Sequence, residues 1–185
     1  CHVDVKAVED LKDVREPSSG PDYDGDGDVE EGMFYEIEGL QAALYTAMQA
    51  YATDVAKAPV VYSKDAYPYF FNDTNTDGVT DEAEAAFPNA YKSWSPRLLK
   101  AAYNYQLSIK DPGAYAHGNK YIVQLLFDSI EDLNTKLTTK VNAAGGAFGI
   151  VFGALDLYGT WRSTRTEGDA ERTERQRRSD GLRLV

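Results

Sequence analysis

Apolar residues recur at steps of three and four over three stretches of this chain, the spacing that buries one face of an α-helix. The first stretch runs from about Glu31 to Ala56 and carries Met33, Ile37, Leu40, Leu44, Met48, Tyr51 and Val55. A second opens at Ser95-Pro96, a helix-capping residue followed by proline in the first helical position, and its stripe is Leu98, Ala102, Tyr105 and Ile109. The third covers roughly Lys120 to Lys140, with Ile122, Leu126, Ile130, Leu133 and Leu137. Between the last two lies Asp111-Pro112-Gly113-Ala114-Tyr115-Ala116-His117-Gly118, where the aspartate caps, the proline starts a single turn and glycine stops it. Residues 148–161 are apolar but broken by glycine and read as a fourth short helix. No stretch alternates as a strand. The pattern predicts a mainly α fold of three to four helices with long loops, forming one module over residues 1–160.

Beyond residue 161 the periodicity stops and the charge changes character. Residues 162–185 hold seven arginines, five acids and no lysine, whereas the ten lysines all lie upstream. That composition predicts a disordered tail over 161–185. The 185-residue chain as a whole carries a net charge of −11. Such an acidic balance argues against a nucleic-acid partner, which needs a basic face to displace counterions. No run of 18 apolar residues occurs, so no membrane span is expected. A single cysteine rules out an internal disulfide and any cysteine-rich zinc site. Residue 1 is Cys and the first stretch is polar, so no signal peptide is read here and a fragment or processed product is expected.

The clearest chemical signal is Asp73-Thr74-Asn75-Thr76-Asp77-Gly78-Val79-Thr80-Asp81-Glu82-Ala83-Glu84. Oxygen side chains stand at loop positions 1, 3, 5, 9 and 12, with glycine at position 6. Calcium is a hard ion that takes six to eight oxygens, and the glycine permits the sharp turn that gathers the early ones. Asp73, Asn75, Asp77, Asp81 and Glu84 are the candidate side-chain ligands, and Val79 can offer its backbone carbonyl. The apolar residue falls at position 7 instead of the EF-hand's position 8, as in short calcium-binding repeats of secreted bacterial proteins. A second candidate is Asp22-Tyr23-Asp24-Gly25-Asp26-Gly27-Asp28-Val29-Glu30. Here Asp22, Asp24, Asp26, Asp28 and Glu30 are the candidate ligands. Position 12 is Met33, so the bidentate carboxylate is missing, and Glu31 or Glu36 could replace it only out of register. Four aspartates within seven residues repel one another strongly unless a cation sits among them. Weaker binding is expected there, and both sites read as structural. A carboxylate cluster saturated by calcium is a poor general base, so neither loop supplies catalysis.

Cys1-His2 matches the last two residues of Cys-x-x-Cys-His, the c-type haem attachment signature. Several other segments carry a resemblance. Tyr67-Pro68-Tyr69-Phe70-Phe71-Asn72-Asp73-Thr74-Asn75 is one, and Pro96-Arg97-Leu98-Leu99-Lys100-Ala101-Ala102-Tyr103-Asn104-Tyr105-Gln106 is another. Lys110-Asp111-Pro112-Gly113-Ala114-Tyr115-Ala116-His117 and the segment from Tyr121 to Leu133 complete it. Together, over about residues 1–135, they resemble the carboxy-terminal region of large extracytoplasmic multihaem c-type cytochromes. The resemblance implies electron transfer between closely spaced haems, usually with two histidines per iron. It makes Cys1 a thioether anchor and His2 the proximal ligand of the last haem, and His117 a distal haem ligand. It also implies haem c as cofactor beside calcium, the rest of a multihaem chain and redox proteins as partners, and a periplasmic or cell-surface location. The chain departs from the family in lacking a complete Cys-x-x-Cys-His, and residues 136–185 match nothing in it.

The expected function is therefore an electron-transfer module stabilised by calcium, and not an enzyme. No Ser-His-Asp order and no pair of catalytic carboxylates outside the calcium loops supports a hydrolase. The alternative is a secreted, calcium-stabilised binding or structural module without a redox role, in which Cys1-His2 is incidental.

Overall fold

A computed structural model describes residues 5–17, 19–116 and 118–141. The fourth helix expected at 148–161 and the tail at 161–185 lie outside the described residues. Three α-helices carry the fold: α1 (Met33–Asp54), α2 (Pro96–Lys110) and α3 (Asn119–Asn134). The class is mainly α, and no helix among the described residues is long and apolar enough to cross a membrane.

The three stripes meet in one core. Met33, Ile37, Leu40, Leu44 and Met48 of α1 are buried together with Leu98, Ala102 and Tyr105 of α2 and Ile122, Leu126, Ile130 and Leu133 of α3. Ala43 and Ala47 are fully buried on α1, where a small side chain lets a neighbour approach the helix backbone. Polar ties cross the α2–α3 seam: Asn104 donates to Ser129 at 2.8 Å, and Arg97 and Lys100 both pair with Asp132.

The helix ends follow their local chemistry. Ser95 Oγ accepts from Leu98 N–H at 3.1 Å and Pro96 opens α2, as the sequence predicts. α1 starts at Gly32, where a Cβ would lie 1.8 Å from the Lys12 carbonyl oxygen, so only glycine lets the 3-10 turn Glu9–Asp13 pack beneath the helix. At its other end Lys57 adopts φ 57° and Ala58 N–H reaches back to the Ala52 carbonyl, a left-handed closure. Val55, counted in the apolar stripe, is consequently exposed. α3 stops six residues before the expected Lys140. Asn134 accepts from Val141 N–H and donates to its carbonyl, and Thr135 Oγ1 donates to the Asp132 carbonyl, so local side-chain bonds displace the helical ladder. Leu137 and Val141 stay buried in the turn that results.

Against the expectation of no strands, a small antiparallel sheet joins β1 (Val60–Tyr62) to β2 (Phe70–Asn72), pairing Val61 with Phe71. Three residues are too few for an alternating pattern to register, and both of the first two in each strand are buried. Tyr45 on α1 fixes the sheet to the helices, its hydroxyl accepting from Tyr62 N–H at 3.0 Å. The sheet's last residue, Asn72, leads directly into Asp73.

Candidate metal site in two acidic loops

The loop from Asp73 is wound around its own carboxylates. Asp73 accepts from Thr76 N–H at 2.7 Å on one oxygen and from Gly78 N–H at 2.9 Å on the other. Asn75 accepts from Asp77 N–H and Asp77 from Val79 N–H, so loop positions 1, 3 and 5 each turn the chain inward. Gly78 sits at φ 78°, the conformation for which position 6 requires glycine. Glu84, at position 12, is 3% exposed and closes the loop from behind. One of its oxygens accepts from both Thr74 N–H at 2.6 Å and Thr74 Oγ1 at 2.8 Å, and the other from Asp81 N–H. Burial pushes the Glu84 carboxyl up, but the hydrogen bonds from Thr74 and Asp81 outweigh it and hold the group below its ordinary value. The Asn75 amide donates to both Asp77 and Asp81, holding the two carboxylates as a cation would. Val79 is exposed, so its contribution is confined to its carbonyl. Gln49 of α1 donates to the Gly78 carbonyl at 2.7 Å and Thr80 to the Tyr62 carbonyl at 2.8 Å, anchoring the loop to helix and sheet.

The loop from Asp22 repeats this winding position for position. Asp22 accepts from Gly25 and Gly27 N–H, Asp24 from Asp26 N–H and Asp26 from Asp28 N–H. Asp28 turns forward instead, accepting from Glu30 and Glu31 N–H, and Glu30 is exposed. Val29, at the expected apolar position 8, is exposed as well.

The closing role belongs to Glu36, in the first turn of α1 and fully buried. Its Oε2 accepts from Tyr23 N–H at 2.7 Å and Asp24 N–H at 3.0 Å, just as Glu84 takes the position-2 amide of the other loop. Its Oε1 pairs with Arg15 at 2.6 Å. Arg15 also donates to the carbonyls of Ser19, Pro21 and Glu31, so one guanidinium organises the whole approach to the loop.

Among the described residues, acidic oxygens converge within 4.8 Å in two sets: Asp22, Asp24 and Glu36, and Asp24, Asp26 and Glu31. Asp28 and Glu30 join neither, and no such convergence forms at 73–84. Burial pushes Asp24 up to about 7, with the charges of Asp26, Glu36 and Glu31 adding to it. Glu31 rises to about 7 for the same first cause, reinforced by Glu36, Asp26 and Asp28. Such a concentration of unsatisfied anionic character suits a hard cation.

Spacing alone left Glu36 out of register, and Arg15 carried no signal in a calcium motif. The available clue was Glu36's place on the apolar stripe of α1 beside Met33, Ile37 and Leu40, where an acid is buried only with partners. The haem residues named from the resemblance, Cys1, His2 and His117, lie outside the described residues. Of the aromatic run 62–71, Phe70 and Phe71 are buried, whereas Tyr67 is exposed and stacked on exposed Phe87.

The chain is 36% identical over 127 residues to the C-type polyheme cytochrome OmcB of Geobacter sulfurreducens, covering 62% of this chain and 16% of that protein. It is 33% identical over 126 residues to OmcC of the same organism, with 61% and 16% covered. No family model matches the chain. No solved structure matches it either. The chain is thus related to multihaem c-type cytochromes and spans about one-sixth of the length of these relatives.

Proposed function

We propose, from this relationship to polyheme cytochromes, that the chain is a module of a longer electron-transfer polypeptide bearing c-type haems. The observation that carries the reading is the 36% identity over 127 residues, 62% of this chain. Cys1 and His2 anchor and ligate one haem, and His117 supplies a second axial nitrogen. The helical bundle contributes no substrate chemistry and acts as a rigid wall for the redox centre. Electron transfer requires fixed spacing between haems, and a tightly packed core with anchored loops supplies such rigidity. Calcium in the loops 22–36 and 73–84 supports that role by holding the acidic segments in one conformation. Both haem attachment and this use of calcium place the module outside the cytoplasm, where the free ion is abundant.

The test is to produce the complete parent polypeptide in a host that attaches c-type haem, then map haem-bearing peptides by mass. Haem on the peptide containing Cys1 is the expected result. In the same protein, His117→Ala should convert one low-spin haem to a high-spin or water-ligated form by electron paramagnetic resonance. A Cys1 peptide without haem sinks the redox reading and leaves the calcium-stabilised module alone.

A further inference from the structure

Aspartyl-glycyl peptides are the bonds at which a polypeptide isomerises most readily, because glycine has no Cβ to shield its amide nitrogen. The chain holds four: Asp24-Gly25, Asp26-Gly27, Asp77-Gly78 and Asp180-Gly181, the last outside the described residues. In the reaction the glycine nitrogen attacks the aspartate Cγ, a C–N bond forms, and the carboxyl hydroxyl leaves as water with the amide hydrogen. Water then adds back to the cyclic imide. Cleavage between its nitrogen and the main-chain carbonyl carbon leaves isoaspartate, with the chain running through Cγ. Mass is unchanged and no co-reactant is needed. The carboxyl group must first rotate onto the amide that follows it.

The fold restrains that rotation unequally. Each of the three glycine amides is bonded to the aspartate that opens its loop, Gly25 and Gly27 to Asp22 and Gly78 to Asp73. Asp24 is 5% exposed; its Oδ1 accepts from Asp26 N–H and its Oδ2 lies against the backbone of Gly39 on α1. Asp77 is exposed, but both its oxygens are engaged, by Val79 N–H at 2.8 Å and the Asn75 amide at 3.0 Å. Gly78 after it is half-buried and tied to α1 through Gln49, which donates to its carbonyl at 2.7 Å. Among the described residues, Asp26-Gly27 has no such hold. Both residues are exposed, and a Cβ at Gly27 would meet nothing within 4 Å. The bonds that fix the pair, Asp28 N–H to Asp26 Oδ1 and Gly27 N–H to Asp22, are open to solvent. Bonds of this kind open at the lowest cost in a folded chain.

We propose that Asp26-Gly27 is the isomerisation site of the described fold, and that α1 protects the other two peptides, packing on Asp24 at Gly39 and tying Gly78 at Gln49. Conversion adds one carbon to the main chain of the first loop and takes the Asp26 carboxylate away from Asp28 N–H. The second loop is left unchanged. The inference stands apart from the haem and calcium readings, since neither ligand enters the reaction.

Prolonged incubation of the full 185-residue chain in neutral buffer with chelator, followed by peptide mapping, tests this. Electron-transfer fragmentation assigns the isomer to Asp24 or Asp26 within one peptide. Isoaspartate should build up at Asp26 at least about fivefold faster than at Asp24 or Asp77, the factor by which one hydrogen bond of ordinary net strength changes an opening equilibrium. In guanidinium chloride the three sites should convert at comparable rates. Gln49→Ala should speed conversion at Asp77 by about fivefold and leave Asp26 unchanged. Equal rates at the three sites in the folded chain, or a lead at Asp24 or Asp77, overturn the assignment. So does a lead at Asp26 that persists in guanidinium chloride, or an Asp26 that converts only there. A rate at Asp77 that does not respond to Gln49→Ala overturns the protection by α1.

Discussion

The Asp24 carboxylate lies against the bare backbone of Gly39: a Cβ built on that glycine would sit 1.7 Å from Asp24 Oδ2 and 2.8 Å from Asp24 Cβ. Glycine inside a helix ordinarily costs about 1 kcal/mol relative to alanine. Here the sign should reverse, because the added methyl must push the loop off α1. Gly39→Ala is expected to destabilise by ~1–3 kcal/mol, the usual range for overpacking, and to weaken calcium binding in the first loop. Urea denaturation of the two proteins checks it, and a gain in stability would show that the loop moves aside freely.

Arg15 and Glu36 form a buried pair whose side chains are 11% and 0% exposed. Removing one member of such a pair strands the other. Glu36→Ala should cost roughly 3–5 kcal/mol, since it leaves Arg15 and the amides of Tyr23 and Asp24 unpaired. Arg15→Met should cost a similar amount by stranding Glu36. The double variant should be less damaging than the sum of the two, and chemical denaturation of all four proteins measures the coupling.

Calcium should raise the melting temperature of the chain. A ligand that binds only the folded state adds about 2.7 kcal/mol at a hundredfold excess over its dissociation constant. Asp73→Ala or Glu84→Ala should remove one part of the gain and Asp24→Ala, at the carboxylate that both convergent acidic sets share, another. Differential scanning calorimetry with and without chelator decides, and an unchanged melting temperature on chelation would falsify both sites.

Asp132 gives a pH signature away from the loops. The Lys100 ammonium, and with it the Arg97 guanidinium, holds its carboxyl below the ordinary value of 3.8. A depressed folded-state value means stability that is present above 3.8 and lost as pH falls through the lower folded value. Asp132→Asn should therefore cost about 1 kcal/mol at neutral pH, as partly exposed pairs do. The gap between the two proteins should close in acid, and denaturation at pH 7 and pH 2.5 would reveal it.

Helix periodicity located all three helices because their stripes are long and regular, and Ser95-Pro96 marked one boundary to the residue. The two strands escaped notice because three-residue segments are set by the contact of Val61 with Phe71 and not by a repeating pattern. The end of α3 was overrun because the apolar stripe continues through Leu137, while the chain is turned by Asn134 side-chain bonds that periodicity does not register. In the loops, aspartate spacing was legible since each carboxylate bonds an amide two to five residues on. Glu36 was not, because its partners lie 12 to 21 residues away and only folding of α1 beneath the loop brings them together.

A single helix receives both loops, one at Glu36 and the other at Gln49. Their mutual placement is therefore governed by α1 itself: thirteen residues at about 1.5 Å each put the two attachment points ~20 Å apart along the axis. One residue inserted between Glu36 and Gln49 would swing one attachment about 100° around that axis relative to the other. The loops could then no longer both seat on their present partners. An insertion in the turn between β1 and β2, around Asp65, would leave the helix untouched and both seats intact. Along this polypeptide, tolerance to length change should thus be lowest in a regular helix far from either acidic cluster's own sequence.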